Sequence, residues 1–154
     1  MFEPSSIVIH AADEFLRNHF RNLMDGADSK EQQRSLPKVL VVDDERRIAD
    51  TLAEILELAG FHVMVAYDGW EALDQAARFH PDYLLSDVLM PQMNGVELAI
   101  AIRKIYPAAR ILLFSGQAGI SNILLEGQRQ GFEFELVAKP IHPTKLIELL
   151  KSDD

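Results

Sequence analysis

Hydrophobic positions fall into a regular alternation from residue 38 onward. Short apolar, often β-branched runs, typical of strands buried on both faces, are separated by longer segments with apolar residues at helical spacing. The predicted strands are 39–42, 62–66, 83–86, 111–114 and 134–138. The predicted helices are 48–59, 70–79, 96–105, 121–130 and 144–150. The only tryptophan, Trp70, is interpreted as a packing residue.

This alternation of strands and helices predicts βαβ units and a parallel sheet covered on both faces. Right-handed crossovers leave few topologies for five strands, and the commonest is the flavodoxin-like strand order 2-1-3-4-5. We therefore predict a doubly wound (βα)5 domain of the α/β class over residues 37–154. In such a sheet the ligand site lies beyond the carboxyl ends of the first and third strands.

Residues 1–36 follow a different pattern and are predicted to be an extension outside the sheet. Side chains at helical spacing predict one amphipathic helix there. They are Ala12, Phe15, Leu16, His19, Phe20, Leu23 and Met24. Gly26 is expected to end this helix, and the polar run 28–35 indicates a tether. The apolar stripe leaves three options open: packing on the domain, pairing of two copies as a homodimer, or a poorly ordered addition.

Composition narrows the class of protein. The chain of 154 residues is 48% hydrophobic and 25% charged, which suits one globular domain with a sizeable core. A net charge of −9 argues against nucleic acid as a direct partner, because phosphate backbones attract basic surfaces. The absence of cysteine excludes disulfides and thiolate chemistry and suits the cytoplasm. No signal peptide or membrane-spanning run is recognisable, so no membrane partner is expected.

Polar residues follow four of the predicted strands at their carboxyl ends. They are Asp43 and Asp44, Asp87, Ser115 and Gly116, and Lys139 and Pro140. Because these ends meet at one edge of a parallel sheet, three carboxylates, a hydroxyl and an ammonium are expected in one crevice. Close carboxylates repel one another, and a hard divalent cation such as Mg²⁺ relieves that repulsion and keeps Asp87 ionised.

These groups suit phosphoryl transfer to a carboxylate. Asp87 can act as a nucleophile and form an aspartyl phosphate. Mg²⁺ and Lys139 would neutralise the phosphoryl oxygens, Ser115 could donate its hydroxyl, and Gly116 would let its backbone N–H come close. Taken singly, such residues are more often turns, helix caps or solvated charges. Their occurrence together, each after a strand of one sheet, indicates function.

Four stretches resemble the signatures of response-regulator receiver domains of two-component systems. They are residues 39–44, 87–95, 113–116 and 138–140, and the resemblance covers about residues 38–151. It implies that Asp87 is the phospho-acceptor. It also implies that Asp44, Asp87 and the backbone carbonyl of Leu89 bind Mg²⁺, with Asp43 supporting the metal partly through water.

The resemblance also assigns the groups that respond to the phosphate. Ser115 would be the switch hydroxyl, and Lys139 the phosphate-binding lysine, followed by a cis bond to Pro140. In most receivers an aromatic residue three positions before this lysine turns inward during activation, but this chain has Leu136 there. Phe134 lies on the same side of the strand by period-two alternation and could take over part of that role.

The leading hypothesis is a single-domain response regulator in a phosphorelay, because no linker or second domain follows the last predicted helix. By the resemblance, a histidine kinase or histidine phosphotransfer protein would phosphorylate it. A downstream protein would then bind the face built from the fourth helix, fifth strand and last helix. No turnover enzyme is expected.

Two alternatives remain. One is a constitutive docking or phosphate-sink receiver, because Leu136 could weaken the switch. The other is an aspartate-nucleophile phosphohydrolase, which would carry an Asp-x-Asp pattern after the first strand. Residues 43–45 read Asp-Asp-Glu and disfavour it.

Overall fold

The computed structural model describes residues 36–116 and 120–152, and it contains one parallel sheet. The strands are β1 (Lys38–Val42), β2 (His62–Ala66), β3 (Tyr83–Asp87), β4 (Arg110–Ser115) and β5 (Glu135–Ala138). Their order is β2-β1-β3-β4-β5, which confirms the predicted flavodoxin-like topology. The predicted N-terminal helix and its tether, up to residue 35, lie outside the described residues.

Five helices connect the strands and cover both faces of the sheet. They are α1 (Arg46–Leu58), α2 (Gly69–Phe79), α3 (Gly95–Ile105), α4 (Ser121–Arg129) and α5 (Pro143–Lys151). Side chains alternate along β1, so that Leu40 packs with the core under α2, α3 and α4, while Val41 packs with the core under α1 and α5. Burial on both faces explains why the strands read as continuous apolar runs. Within the part of the chain that the structure describes, none of the helices is both long and apolar enough to cross a lipid bilayer.

Side-chain caps set where the helices beside the site begin. The Asp68 carboxylate accepts a hydrogen bond from the backbone N–H of Glu71 at 2.7 Å at the start of α2. At the start of α3, Asn94 and Glu97 form a reciprocal capping box with bonds of 2.8 and 3.0 Å. Such caps contribute about 1 kcal/mol each, and the second one determines where the loop after β3 ends.

Two expectations about aromatic residues were wrong. Trp70 is 62% exposed and lies in the first turn of α2, whose buried side is formed by small residues such as Ala72 and Ala76. Phe134 precedes β5 instead of belonging to it. Its ring stacks on Phe132 with centroids 6.1 Å apart and packs against the core under α3 and α4.

Arg110 joins the first residue of β4 to the end of α5. Its guanidinium donates to the carbonyl oxygens of Leu149 and Ser152 at 2.6 Å each and lies 3.1 Å from a carboxylate oxygen of Glu135. Replacing Arg110 with Met should lower the free energy of unfolding by about 1–2 kcal/mol, because carbonyl groups at the end of α5 lose their donor.

Urea denaturation would measure this cost. The matched control is Arg78→Met, since Arg78 makes an exposed pair with Asp74 whose loss should cost less than about 0.5 kcal/mol. Equal effects of the two substitutions would show that Arg110 does not anchor α5.

Candidate functional site

The carboxyl ends of the strands bring the predicted acidic residues together. Asp43 and Asp44 follow β1, and Asp87 is the last residue of β3. One carboxylate oxygen from each of the three lies within 4.8 Å of the others. Asp43 is only 1% exposed, whereas Asp44 is exposed, so the cluster reaches from the protein interior to its surface.

Lys139 links two of these carboxylates. Its ammonium nitrogen lies 3.1 Å from Asp43 Oδ2 and 3.4 Å from Asp87 Oδ1. The backbone N–H of Lys139 donates to the Ser115 carbonyl at 2.9 Å, and a cis peptide bond leads to Pro140, as the resemblance implied. The ends of β4 and β5 thus hold the lysine beside the acidic cluster.

Gly116 gives Lys139 the space it needs. A Cβ atom at this position would lie 3.2 Å from the Lys139 Cβ, closer than most side-chain contacts. The absence of a side chain therefore allows the chain after β4 to approach the lysine closely.

Burial and neighbouring charges both act on Asp87. Burial raises the pKa of its carboxyl and the nearby Asp43 and Asp44 carboxylates raise it further, while Lys139 opposes them. Burial by itself would lower the pKa of the Lys139 ammonium, but Asp43 and Asp87 outweigh burial and raise it. The lysine is therefore held in its charged form, while the carboxylate of Asp87 would gain from a further cation.

In the metal-free protein, the contribution of Asp87 to stability should fall as pH rises through the raised pKa of its carboxyl. Its carboxyl has an ordinary pKa of 3.8, so between the two values the folded state binds more protons than the unfolded chain. The contribution of Asp87 to the free energy of unfolding then falls with rising pH over that interval.

Urea midpoints of the wild type and Asp87→Asn, measured from about pH 4 to 7 without Mg²⁺, would isolate this contribution. The urea midpoint of Asp87→Asn relative to that of the wild type should rise with pH and then level off. A difference that does not change with pH would contradict the inferred shift.

Hydrogen bonds hold the loop after Asp87 against the sheet. Ser86 Oγ donates to the Asp87 carbonyl at 3.0 Å, and the Val88 N–H donates to the Phe114 carbonyl at 3.0 Å. The Gly95 N–H donates to the Val88 carbonyl at 2.8 Å. A Cβ atom on Gly95 would overlap the Asp87 carbonyl oxygen, so α3 can start this close to the acceptor only with glycine.

Sequence reasoning missed Ser86 and the backbone partner of Asp43. Ser86 is fully buried in β3 and bonds the backbone of Asp87, and a lone hydroxyl in an apolar strand was the available signal. Asp43 Oδ1 accepts from the Glu45 N–H at 2.9 Å, which orients the carboxylate. Local sequence does not reveal that bond, because an aspartate in a turn has several possible backbone partners.

The cluster has the donors that Mg²⁺ prefers. Mg²⁺ takes oxygen ligands, uses one or two carboxylates and retains several waters. The exposed Asp44 lies beside Asp87, so carboxylate oxygens and solvent meet at the same place. The residues present therefore fit a Mg²⁺ site. Binding of Mg²⁺ by the backbone carbonyl of Leu89 stays a prediction. The side chain of Leu89 is 37% exposed.

Leu136 and Phe134 line one cleft beside α4. The cleft measures about 290 Å³ and opens to solvent. Its other lining residues are Val96, Leu124, Gln128, Phe132 and Glu133. Phe134 and Leu136 therefore lie on the same side, as the alternation predicted, although only Leu136 belongs to β5.

Comparisons with known proteins agree with this geometry. A family model for the response regulator receiver domain matches residues 39–151. The chemotaxis protein CheY4 of Vibrio cholerae is 31% identical over 76% of this chain and 98% of its own, with a TM-score of 0.67. A CheY-like receiver domain protein from Methanospirillum hungatei is 29% identical over 76% and 92%, with a TM-score of 0.68. The NtrX receiver domain of Brucella abortus is 28% identical over 73% and 94%, with a TM-score of 0.63.

The fold and its acidic strand ends place the protein among CheY-like signalling domains. More specifically, the chain belongs to the family of response regulator receiver domains of two-component systems. Phosphorylation and Mg²⁺ binding at an aspartate cluster are general to this family. Its members interact with histidine kinases or phosphotransfer proteins and with downstream targets.

Proposed function

We propose that this chain is a response-regulator receiver that accepts a phosphoryl group on Asp87 and signals through phosphorylation-dependent binding of a protein partner. The observation that supports this most directly is the position of Asp87, which shares a cluster with Asp43 and Asp44 and lies 3.4 Å from the Lys139 ammonium. This arrangement pairs a nucleophile with the positive charge that neutralises a transferred phosphate.

In the proposed reaction, a carboxylate oxygen of Asp87 attacks the phosphorus of a phosphohistidine. The O–P bond forms as the P–N bond breaks, and the departing imidazole takes a proton from solvent. Lys139 would turn from Asp87 to a phosphoryl oxygen, while the buried carboxylate of Asp43, 3.1 Å from its nitrogen, keeps the ammonium in place. The three aspartates of the cluster and the Leu89 carbonyl would hold Mg²⁺, which supplies positive charge for the phosphoryl oxygens.

Ser115 and Gly116 would report the phosphate to the rest of the domain. The hydroxyl of Ser115, at the end of β4, would bond a phosphoryl oxygen, and the N–H of Gly116 would approach it. Because the Ser115 carbonyl accepts from the Lys139 N–H at 2.9 Å, movement at the end of β4 is coupled to the end of β5. Phe134 and Leu136 would transmit that movement to the cleft beside α4.

The phosphoryl donor in this proposal is a histidine kinase or a histidine phosphotransfer protein in the cytoplasm. The target is a protein that binds the surface formed by α4, β5 and α5. A net charge of −9 supports a protein target over direct binding of nucleic acid.

Beryllofluoride with Mg²⁺ mimics an acyl phosphate and provides the test. Amide signals of α4 and β5 should shift when it is added to the labelled protein, in addition to those around Asp87. Asp87→Asn should show no shift under the same conditions. If the signals around Asp87 shift while those of α4 and β5 stay fixed, the switch proposal fails.

That second outcome would favour a constitutive docking or phosphate-sink receiver. The position of Leu136 supports keeping this candidate, since its side chain is 44% exposed and offers no ring to bury on activation. A partner that binds equally well with and without beryllofluoride would identify it.

A further inference from the structure

The cleft beside α4 is an open apolar site at the edge of the sheet. Residues of α3, α4, β5 and the loop before β5 contribute to its lining. Its volume of about 290 Å³ is at the lower limit of small-molecule pockets. These dimensions suit large apolar side chains presented by a helix that lies across the opening.

Two of these elements, α4 and β5, carry exposed apolar side chains. Leu125 on α4 is 46% exposed, and Leu136 on β5 is 44% exposed. They are two of the five large hydrophobic side chains that are exposed in residues 36–116 and 120–152. Apolar exposure on elements that line a cleft marks a contact surface.

We infer that residues 12–24 of the same chain occupy this cleft as an amphipathic helix. The sequence pattern places Leu16, Phe20 and Leu23 at positions i, i+4 and i+7 of one stripe, which is the arrangement of anchors in helix-in-groove recognition. Docking would cover this stripe and the apolar lining of the cleft in one step.

The tether is long enough for this contact. β1, where the described domain begins, and the loop before β5 both lie at the amino ends of the parallel strands. Three strand spacings separate β1 from β5, or about 14 Å. The tether of residues 25–36 has a root-mean-square span of about 17–21 Å if it is flexible.

This match between span and distance favours the chain's own segment over a second copy. A short tether that matches the distance holds its segment at an effective concentration in the millimolar range. The same segment of a second copy would have to compete, at its lower concentration in solution, with the tethered segment.

The docked segment would cover part of the surface formed by α4, β5 and α5. A target would then have to displace residues 12–24 before it could bind there, which would restrain output in the unphosphorylated protein. This consequence for signalling rests on the proposed function, whereas the docking itself does not.

Paramagnetic broadening in the full-length, metal-free and unphosphorylated protein would test the docking. The chain contains no cysteine, so Asn18→Cys creates one attachment point for a nitroxide on the side of the helix away from the stripe. In ¹⁵N-labelled protein, the amide signals of residues 124–136 should lose most of their intensity, and those of α1 should keep theirs. Reducing the nitroxide should restore the lost signals.

Two further substitutions in the spin-labelled protein separate docking from chance proximity. Phe20→Glu should restore the signals of residues 124–136, while the matched control Asn22→Glu should leave them broadened. Both positions lie outside the described domain, so unchanged chemical shifts in α1 would verify that the domain remains folded.

Three results would overturn the proposal: no selective broadening, no response to Phe20→Glu, or an intermolecular origin. An intermolecular origin is recognised by mixing spin-labelled ¹⁴N protein with ¹⁵N protein that carries no spin label. Broadening in that mixture would show contact between two copies. Because no phosphoryl donor is present, failure of phosphorylation at Asp87 would not change any of these outcomes.

Discussion

Asp87→Asn should abolish phosphorylation by acetyl phosphate in the presence of Mg²⁺, reducing incorporation by at least about 100-fold, as expected for loss of a nucleophile. The substitution keeps the shape of the side chain but removes its charge. Lys139 retains its contact with Asp43 at 3.1 Å, so the surroundings of the acceptor should stay in place.

Intact-mass spectrometry would measure the added phosphoryl group. The matched control is Asp74→Asn, which removes the same charge from an exposed residue of α2 that pairs only with Arg78 in the described part of the chain. This control should be phosphorylated like the wild type. Phosphorylation of Asp87→Asn at the wild-type level would place the acceptor elsewhere.

Gly95→Ala should lower the free energy of unfolding by about 3 kcal/mol, at the upper end of overpacking costs. The new Cβ atom would overlap the carbonyl oxygen of Asp87, and a backbone atom cannot move away by changing rotamer. Either α3 or the loop after β3 must shift. We therefore also expect slower phosphorylation, because the acceptor would lose its alignment with Lys139.

Gly69→Ala provides a matched control, since Gly69 is likewise the first residue of a helix. A Cβ atom there would lie 2.5 Å from the Met93 sulfur, which can swing away, and 2.8 Å from the Met93 Cβ, which moves only with the backbone before α3. Its cost should be smaller, because this contact is relieved by a smaller backbone shift than the overlap with the Asp87 carbonyl oxygen, and urea denaturation would compare the two variants. Equal costs would show that contact with the Asp87 backbone does not explain the need for glycine at residue 95.

Under the proposed function, the path by which a signal would leave the site differs from the family pattern that the sequence resemblance implies. Leu136 stands where most receivers have an aromatic residue, and Phe134 is already packed against the core under α3 and α4. The guanidinium carbon of Arg103 lies 5.9 Å from the centre of the Phe134 ring. A ring held in this way favours a small adjustment of the cleft over a large rotation of one side chain.

Much of the fold and site could be predicted from the sequence, because the deciding patterns are local. Continuous apolar runs such as 39–42 predict doubly buried strands, and the carboxyl ends of parallel strands must meet at one edge. The convergence of the three aspartates and Lys139 follows from that geometry, and the structure confirms it.

Other features depended on contacts between distant parts of the chain, which local patterns do not contain. The exposure of Trp70, the stacking of Phe134 on Phe132 and the approach of Gly95 to the Asp87 carbonyl result from how helices pack on the sheet. The sequence alone therefore determined which charged residues meet at the acceptor. Only the tertiary structure decided their partners, because pairing and burial depend on residues brought together by folding.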